Sequence, residues 1–260
     1  MEYMVCVKAV PDENEEIHLD KSGQPAVSET DLVGGAFERC ALELAVRRKE
    51  ASGGRVTVVS MGAEPCRGIL KNCIAVGADR GIWIREKENS GNTVQKAKVT
   101  AEMVRQTEKA QGKMFDVILC GVESTDLGNG VFGPALAEFL GRPYVVNAKE
   151  IEETEDGILV TKETETGYEI LKMPLPAVIM VTKTEFNPRY PTLKSKMAAR
   201  KAEIEEWEDE EMFNGTAMAP GEMLRADYTE PEKKKEGIRL DTTEPETAAE
   251  EVVKLIKTRM

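Results

Sequence analysis

The sequence has few of the side chains that do chemistry unaided. Its 260 residues hold one histidine, His18, and five cysteines, Cys6, Cys40, Cys66, Cys73 and Cys120, none in a C-x-x-C pair. That set offers no zinc or iron–sulfur framework, and no metal is expected. His18 lies in the polar, hairpin-like segment "EEIHLDKSG" with no serine or cysteine elbow near it, so it reads as an exposed loop histidine and not a catalytic base. Cys6 and Cys120 sit in apolar strand patterns, where a thiol behaves as a small buried hydrophobe. No catalytic residue is assigned.

Positive charge is also short. Against 47 Asp and Glu stand 35 Lys and Arg, a net charge of −12, which disfavours a nucleic-acid surface or an anionic membrane as partner. No apolar run approaches the ~20 residues of a membrane span. The first residues, "MEYMVCVKAV", have a strand-length apolar run but no basic lead, long apolar core or cleavage site, so a reducing, cytoplasmic setting is expected.

What is present is alternation. "YMVCVKAVP" reads as a buried strand stopped by Pro11, followed by a long acidic loop to about Val33. "GAFERCALELAVRRKEASGG" places Phe37, Ala41, Leu44 and Ala45 on one helical face and ends at Gly53–Gly54. "RVTVVSMG", "EPCRGILKNCIAVGA" with Pro65 in its first turn, "RGIWIRE", "NTVQKAKVTAEMVRQTEKAQG" and "FDVILCG" continue strand, helix, strand, helix, strand. Such a chain predicts an α/β fold, a parallel sheet with helices on both faces.

Into this frame falls "CGVESTDLGNGVFGPALAEF", residues 120–139. A buried strand, a glycine-containing loop and a helix start aim free backbone N–H groups at an anion, and the carboxyl end of a strand is where open parallel sheets bind ligands. Any parallel α/β sheet turns from strand to helix in the same way, so the pattern alone leaves both readings open. Beyond "RPYVVNAKEIEET", the stretch "DGILVTKETETGYEILKMPLPAVIMVTK" is β-rich and antiparallel in its middle, with a turn at Asp156–Gly157. "TLKSKMAARKAEI" is a basic helix candidate. Residues 205–245 are acidic and hardly periodic, an arm in place of a core, and "ETAAEEVVKLIKTRM" closes as an amphipathic helix. The expected division is 1–204 for the α/β domain and 205–260 for the arm.

Several of these segments together resemble the small (beta) subunit of electron-transfer flavoproteins. They are "VKAVPD" (7–12), "ALELAVRRKE" (41–50), "VTVVSMG" (56–62), "AVGADR" (75–80), "DVILCG" (116–121), "GPALAEFLGRP" (133–143), "VTKETETGYEILKMPLPAVIMV" (160–181) and "NPRYPTLKSKMAARKAEI" (187–204). The resemblance implies a Rossmann-like, adenine-nucleotide-binding domain with a small antiparallel β addition. It also implies an extended C-terminal arm that wraps a larger alpha subunit carrying the electron-transferring FAD. The beta subunit would itself bind AMP or FAD. Its partners would be that alpha subunit and an acyl-CoA dehydrogenase-like or other flavin dehydrogenase. A form that splits the electrons of NADH between two acceptors, ferredoxin being the low-potential one, is the alternative.

Carried over by position, the nucleotide site would comprise Ala9, the helix start Gly35, Ala36, Phe37 and Glu38, then Cys66, Thr93 and Lys96. It would be completed by the loop Ser124, Asp126, Leu127, Gly128, Asn129, Gly130, Val131, Phe132, Gly133 and Pro134. Backbone N–H groups of Asp126 to Gly130 would surround phosphate oxygens, Gly128 and Gly130 permitting positive φ. Thr93 keeps one hydroxyl where FAD-binding members hold the diphosphate, while Lys96 replaces a common threonine and reads as a phosphate contact or a solvated lysine. The loop "GVESTDLGNG" departs from the "GRQAIDGDT"-like form and is closer to the "GSADL"-type loop of the nitrogen-fixation and carnitine branch; Gly35–Ala36 replaces a usual Asn-Pro. These departures leave FAD and AMP both open, with FAD favoured. The resemblance also places Leu193 on a protruding loop that docks a dehydrogenase, stiffened by Pro188 and Pro191 and flanked by Lys194 and Lys196; the other reading packs Leu193 inward at the start of a helix over 192–202. An adenine-nucleotide sensor on the same scaffold would leave "NPRYPTLKSKMAARK" without a role.

Overall fold

The computed structural model describes residues 1–27, 32–86, 92–208, 228–230, 237–240 and 243–259. They fall into two compact units, one drawn from residues 1–17 and 26–225, the other from 18–25 and 226–260.

The first unit is built on a nine-stranded sheet. In chain order its strands are β1 (Glu2–Cys6), β4 (Arg55–Gly62), β5 (Arg80–Arg85), β6 (Val117–Gly121), β7 (Tyr144–Thr154), β8 (Gly157–Thr164), β9 (Gly167–Met173), β10 (Ala177–Val181) and β11 (Ile204–Glu208), with β2 (Ala9–Pro11) and β3 (Leu32–Gly34) forming a separate antiparallel ribbon. Spatially the order is β11-β5-β4-β1-β6-β10-β7-β8-β9, parallel as far as β7 and antiparallel through β8 and β9. The helices are α1 (Ala36–Ser52), α2 (Pro65–Ala75), α3 (Thr93–Gln111), α4 (Phe132–Leu140) and α5 (Leu193–Ala199).

The central strands are apolar on both faces, and each face has its own helices. Tyr3, Val5, Val56 and Val58 pack with Ala41, Leu44 and Ala45 of α1 and Ile69 and Leu70 of α2. Met4, Val59, Ile82 and Ile118 pack with Val99, Met103 and Val104 of α3 and Leu136 of α4. The chain runs outward from β1 through α1, β4, α2 and β5, and α3 then carries it back to β6 on the other side of β1. Strand order therefore reverses between β1 and β6, and the two connections, leaving on opposite faces, open a crevice at their carboxyl ends.

Three local expectations change. The run 3–11 is two strands, because the chain leaves the main sheet after Cys6 and Ala9–Pro11 pairs instead with Leu32–Gly34 at the end of the acidic loop. The basic helix spans only Leu193–Ala199, since the residues after it are drawn into pairing with β5. Residues 204–208 thus form an edge strand, and the boundary expected at 204/205 falls inside β11. Its acidic side chains are matched across the pair, Glu205 by Arg80 and Glu206 by Arg85 at 3.2 Å. The rest of the expected arm up to 245 lies largely outside the described residues.

In the second unit α6 (Pro245–Arg259) exposes Val252, Val253 and Ile256 along one side. His18 is exposed, 3.8 Å from Glu230, whose carboxylate also accepts the Leu19 N–H. No helix among the described residues is long and apolar enough to cross a membrane.

Candidate functional site

The crevice between β1 and β6 gathers the polar residues. Lys8 follows β1, and its ammonium donates to both carboxylate oxygens of Asp126, at 2.7 and 2.6 Å, and to Ser124 Oγ at 3.3 Å. Burial pushes the Asp126 carboxyl up, but the hydrogen bonds from Lys8 and Ser124 outweigh it and hold the group below its ordinary value. The backbone of Lys8 accepts the Gly35 N–H at 3.2 Å, which sets the start of α1 against the same strand end. One lysine thus ties the loop after β6 to the entrance of α1.

Beneath the loop lies Glu38, in the first turn of α1 and only 4% exposed. Its carboxyl sits between two glycines: a Cβ on Gly35 would strike Oε2, and one on Gly121 would lie 3.1 Å from Cδ and 2.9 Å from Phe37 Cβ. Among the described residues Oε2 has no hydrogen-bond partner. Burial raises the Glu38 pKa to about 7, against the opposing pull of backbone N–H groups and the Lys8 charge.

The loop is shaped by φ of +58° at Gly128 and +61° at Gly130, a conformation L side chains rarely adopt. Of the N–H groups expected to face a phosphate, that of Gly128 donates within the loop to Ser124 O at 2.8 Å. Asn129 works in both directions, donating to Thr93 Oγ1 at 3.1 Å and accepting the Val131 N–H at 3.2 Å. The loop is thereby joined to the start of α3, itself closed by an Asn92–Gln95 capping box. Among the described residues no side chain caps the N-terminus of α4, so Phe132 and Gly133 carry first-turn amides of the kind that can meet an anion, while Pro134 has none to give. Gly133 lies against Met180 and Cys120, its absent Cβ allowing α4 to meet the sheet closely.

Most of the expected site residues therefore meet. Gly35, Ala36, Phe37 and Glu38 face the Ser124–Pro134 loop across the crevice, with Thr93 attached through Asn129. Ala9 stands next to Lys8 but is paired with Gly34 in the ribbon. Cys66 and Lys96 form a second patch at the carboxyl ends of β4 and β5. There Lys96 is 3.1 Å from the buried carboxylate of Glu86, and Cys66 lies under Gly62 with its thiol pushed up by burial. Lys8, Gly121 and Glu86 were not among the residues expected from sequence. The signal for Lys8 was a lone basic residue closing an apolar strand before a proline.

Leu193 belongs to neither patch. It opens α5 and is 77% exposed, beside Tyr190 at 86%, so it does not pack inward. The segment before it is held on α1 by Arg189, whose guanidinium donates to Glu43 at 2.9 and 3.1 Å and to Glu50 at 2.6 and 2.9 Å. Glu43 is 3% exposed and also accepts from Arg47 at 2.8 Å, and Arg47 in turn lies 4.1 Å over the Phe186 ring.

Comparison with known proteins returns a consistent set. The profile of the family described as "Electron transfer flavoprotein domain" matches residues 34–212. The electron transfer flavoprotein subunit beta of Megasphaera elsdenii is 30% identical over 208 residues, 78% of this chain and 77% of that one. The acryloyl-CoA reductase electron transfer subunit gamma of Anaerotignum propionicum is 27% identical over 99% of this chain and 98% of its own. A subunit of the caffeyl-CoA reductase–Etf complex of Acetobacterium woodii is 27% identical over 82% and 80%.

Proposed function

The chain belongs to the electron transfer flavoprotein family, in its beta-subunit type, and from that membership we propose that it binds an adenine nucleotide in the β1/β6 crevice. In this reading it pairs with an FAD-carrying alpha subunit to move electrons between dehydrogenases and acceptors. The observation that carries the nucleotide is the glycine loop at the point of strand-order reversal, strapped by Lys8 and followed by an uncapped helix start. Amides there offer hydrogen bonds to phosphate without a lysine-rich pocket. FAD is favoured over AMP. The Asn129–Thr93 contact brings the Thr93 hydroxyl beside the loop, a further donor that suits a diphosphate. A bound flavin would supply the redox chemistry, and the residues of this chain would hold and orient it.

Partner docking is assigned to the exposed face of Leu193, Tyr190 and Met197. A leucine already ordered by the Arg189 clamp enters an apolar pocket at little entropic cost. The exposed side of α6 is assigned to the alpha subunit. A second reading comes from the two similar chains in acyl-CoA-type reductase assemblies. In it the heterodimer oxidises NADH and bifurcates its electrons, the FAD of this subunit accepting the hydride and ferredoxin taking the low-potential electron.

The test is cofactor analysis of the chain co-expressed with its large subunit in the cytoplasm of a bacterial host. Two flavins per heterodimer support FAD in this chain, whereas one flavin with one AMP assigns AMP to it. Bleaching by NADH selects the second reading. A heterodimer with one flavin and no further nucleotide refutes the nucleotide-site proposal.

A further inference from the structure

We propose that Glu38 accepts hydrogen bonds from the ribose hydroxyls of the bound nucleotide and so selects ribonucleotides over deoxyribonucleotides. The inference rests on the nucleotide site proposed above and gives one of its residues a specific task.

A carboxylate that is 4% exposed with one oxygen unpartnered among the described residues is an unfavourable arrangement in a folded chain, and the backbone N–H groups of Glu38 and Lys8 relieve it only in part. The groups facing it are Lys8 after β1, Asp126 from the loop, and the buried thiols of Cys6 on β1 and Cys120 on β6. The Lys8 ammonium is spent on Asp126 and Ser124. Asp126 is an anion, and burial raises both thiols, keeping them neutral. Among the described residues Oε2 is left without a donor, which the ribose of a bound nucleotide can supply.

Geometry narrows which part of the ligand supplies it. The carboxyl packs directly against Gly35 and Gly121, the two glycines that border the crevice, so only their backbone separates it from a ligand there. A phosphate set against Glu38 would be repelled, so the phosphate belongs at the glycine loop and the start of α4. The sugar directly attached to that phosphate then reaches the carboxylate before the base does. A cis-diol offers two O–H donors, the pairing by which acidic residues of dinucleotide folds hold ribose.

The experiment is equilibrium dialysis of the nucleotide-free, full-length chain with AMP, 2′-deoxy-AMP, 3′-deoxy-AMP and inorganic phosphate. Loss of a hydrogen bond to a charged acceptor should weaken the deoxy analogues by about 10- to 100-fold relative to AMP. Glu38→Gln should bring AMP close to the deoxy analogues while leaving phosphate binding unchanged, and Glu38→Asp should retain part of the preference. The AMP to 2′-deoxy-AMP affinity ratio, in which titration of the shared phosphate cancels, should rise from pH 6 to pH 8 in the parent as the carboxyl of Glu38 ionises, and stay flat in Glu38→Gln. A parent chain that binds AMP and both analogues equally, or a Glu38→Gln chain that keeps the preference, overturns the role of Glu38 and leaves the nucleotide site standing. A chain that binds none of the nucleotides overturns both.

Discussion

Replacing Arg189 with alanine tests the clamp that holds the docking segment on α1. The change removes the guanidinium from Glu43 and Glu50 and leaves Glu43, 3% exposed, with Arg47 as its remaining ion-pair partner among the described residues. Removing one partner of a fully buried pair costs about 3–5 kcal/mol. Here the Arg189 side chain is 35% exposed and Arg47 remains, so roughly 2–3 kcal/mol is expected after solvent screening. For a unit of this size that lowers the melting temperature by roughly 5–10 °C. The pH dependence gives a sharper signature. Burial acts to raise the Glu43 carboxyl, but hydrogen bonds from Arg189 and Arg47 outweigh it and hold the group below its ordinary value. A depressed carboxylate contributes stability above its unfolded pKa and loses it as pH falls through the folded one. The gap between parent and variant should therefore be full at pH 7 and shrink as the pH falls through the acid range. Urea denaturation at neutral and acid pH reads this directly, with Arg189→Lys expected between the two because it keeps the charge but not the fork. Equal gaps at both pH values, or none at pH 7, would refute the electrostatic account.

Three further outcomes are expected. Gly130→Val forces a β-branched residue to φ +61°, a strain of roughly 1–3 kcal/mol, and nucleotide affinity should fall about ten- to a hundredfold; unchanged nucleotide content would move the site elsewhere. Leu193→Ala should weaken dehydrogenase binding by roughly 1–3 kcal/mol and leave thermal melting unchanged; normal electron transfer with a lowered melting point would defeat the docking role. Truncation after Glu208, which spares β11, should leave the α/β unit folded but abolish assembly with the large subunit, and full co-purification of the shortened chain would disprove the wrapping arm.

Local order was legible in the sequence because local chemistry sets it. Apolar runs of strand length became β4, β6 and β10, and glycine punctuation at Gly53, Gly112 and Gly141 marks the ends of α1, α3 and α4 in the structure, each with positive φ. The loop at 121–134 was recognisable for the same reason, since glycines that permit positive φ and close approach lie together in the chain. Pairings between distant residues were not legible. Lys8 meets Asp126 across 118 positions, and Arg189 meets Glu43 across 146. The acidic run at 205–208 looked like solvated arm because its matching arginines, Arg80 and Arg85, stand on a strand more than a hundred residues earlier. Even the burial of Glu38, an ordinary surface residue type near a helix start, follows from its packing against Gly121 at the end of β6, 83 residues later in the chain. Side-chain period and turn chemistry act over a few residues and determine the elements. The order of strands, and with it the crevice between β1 and β6, depends on which apolar faces bury one another, and only the folded chain decides that.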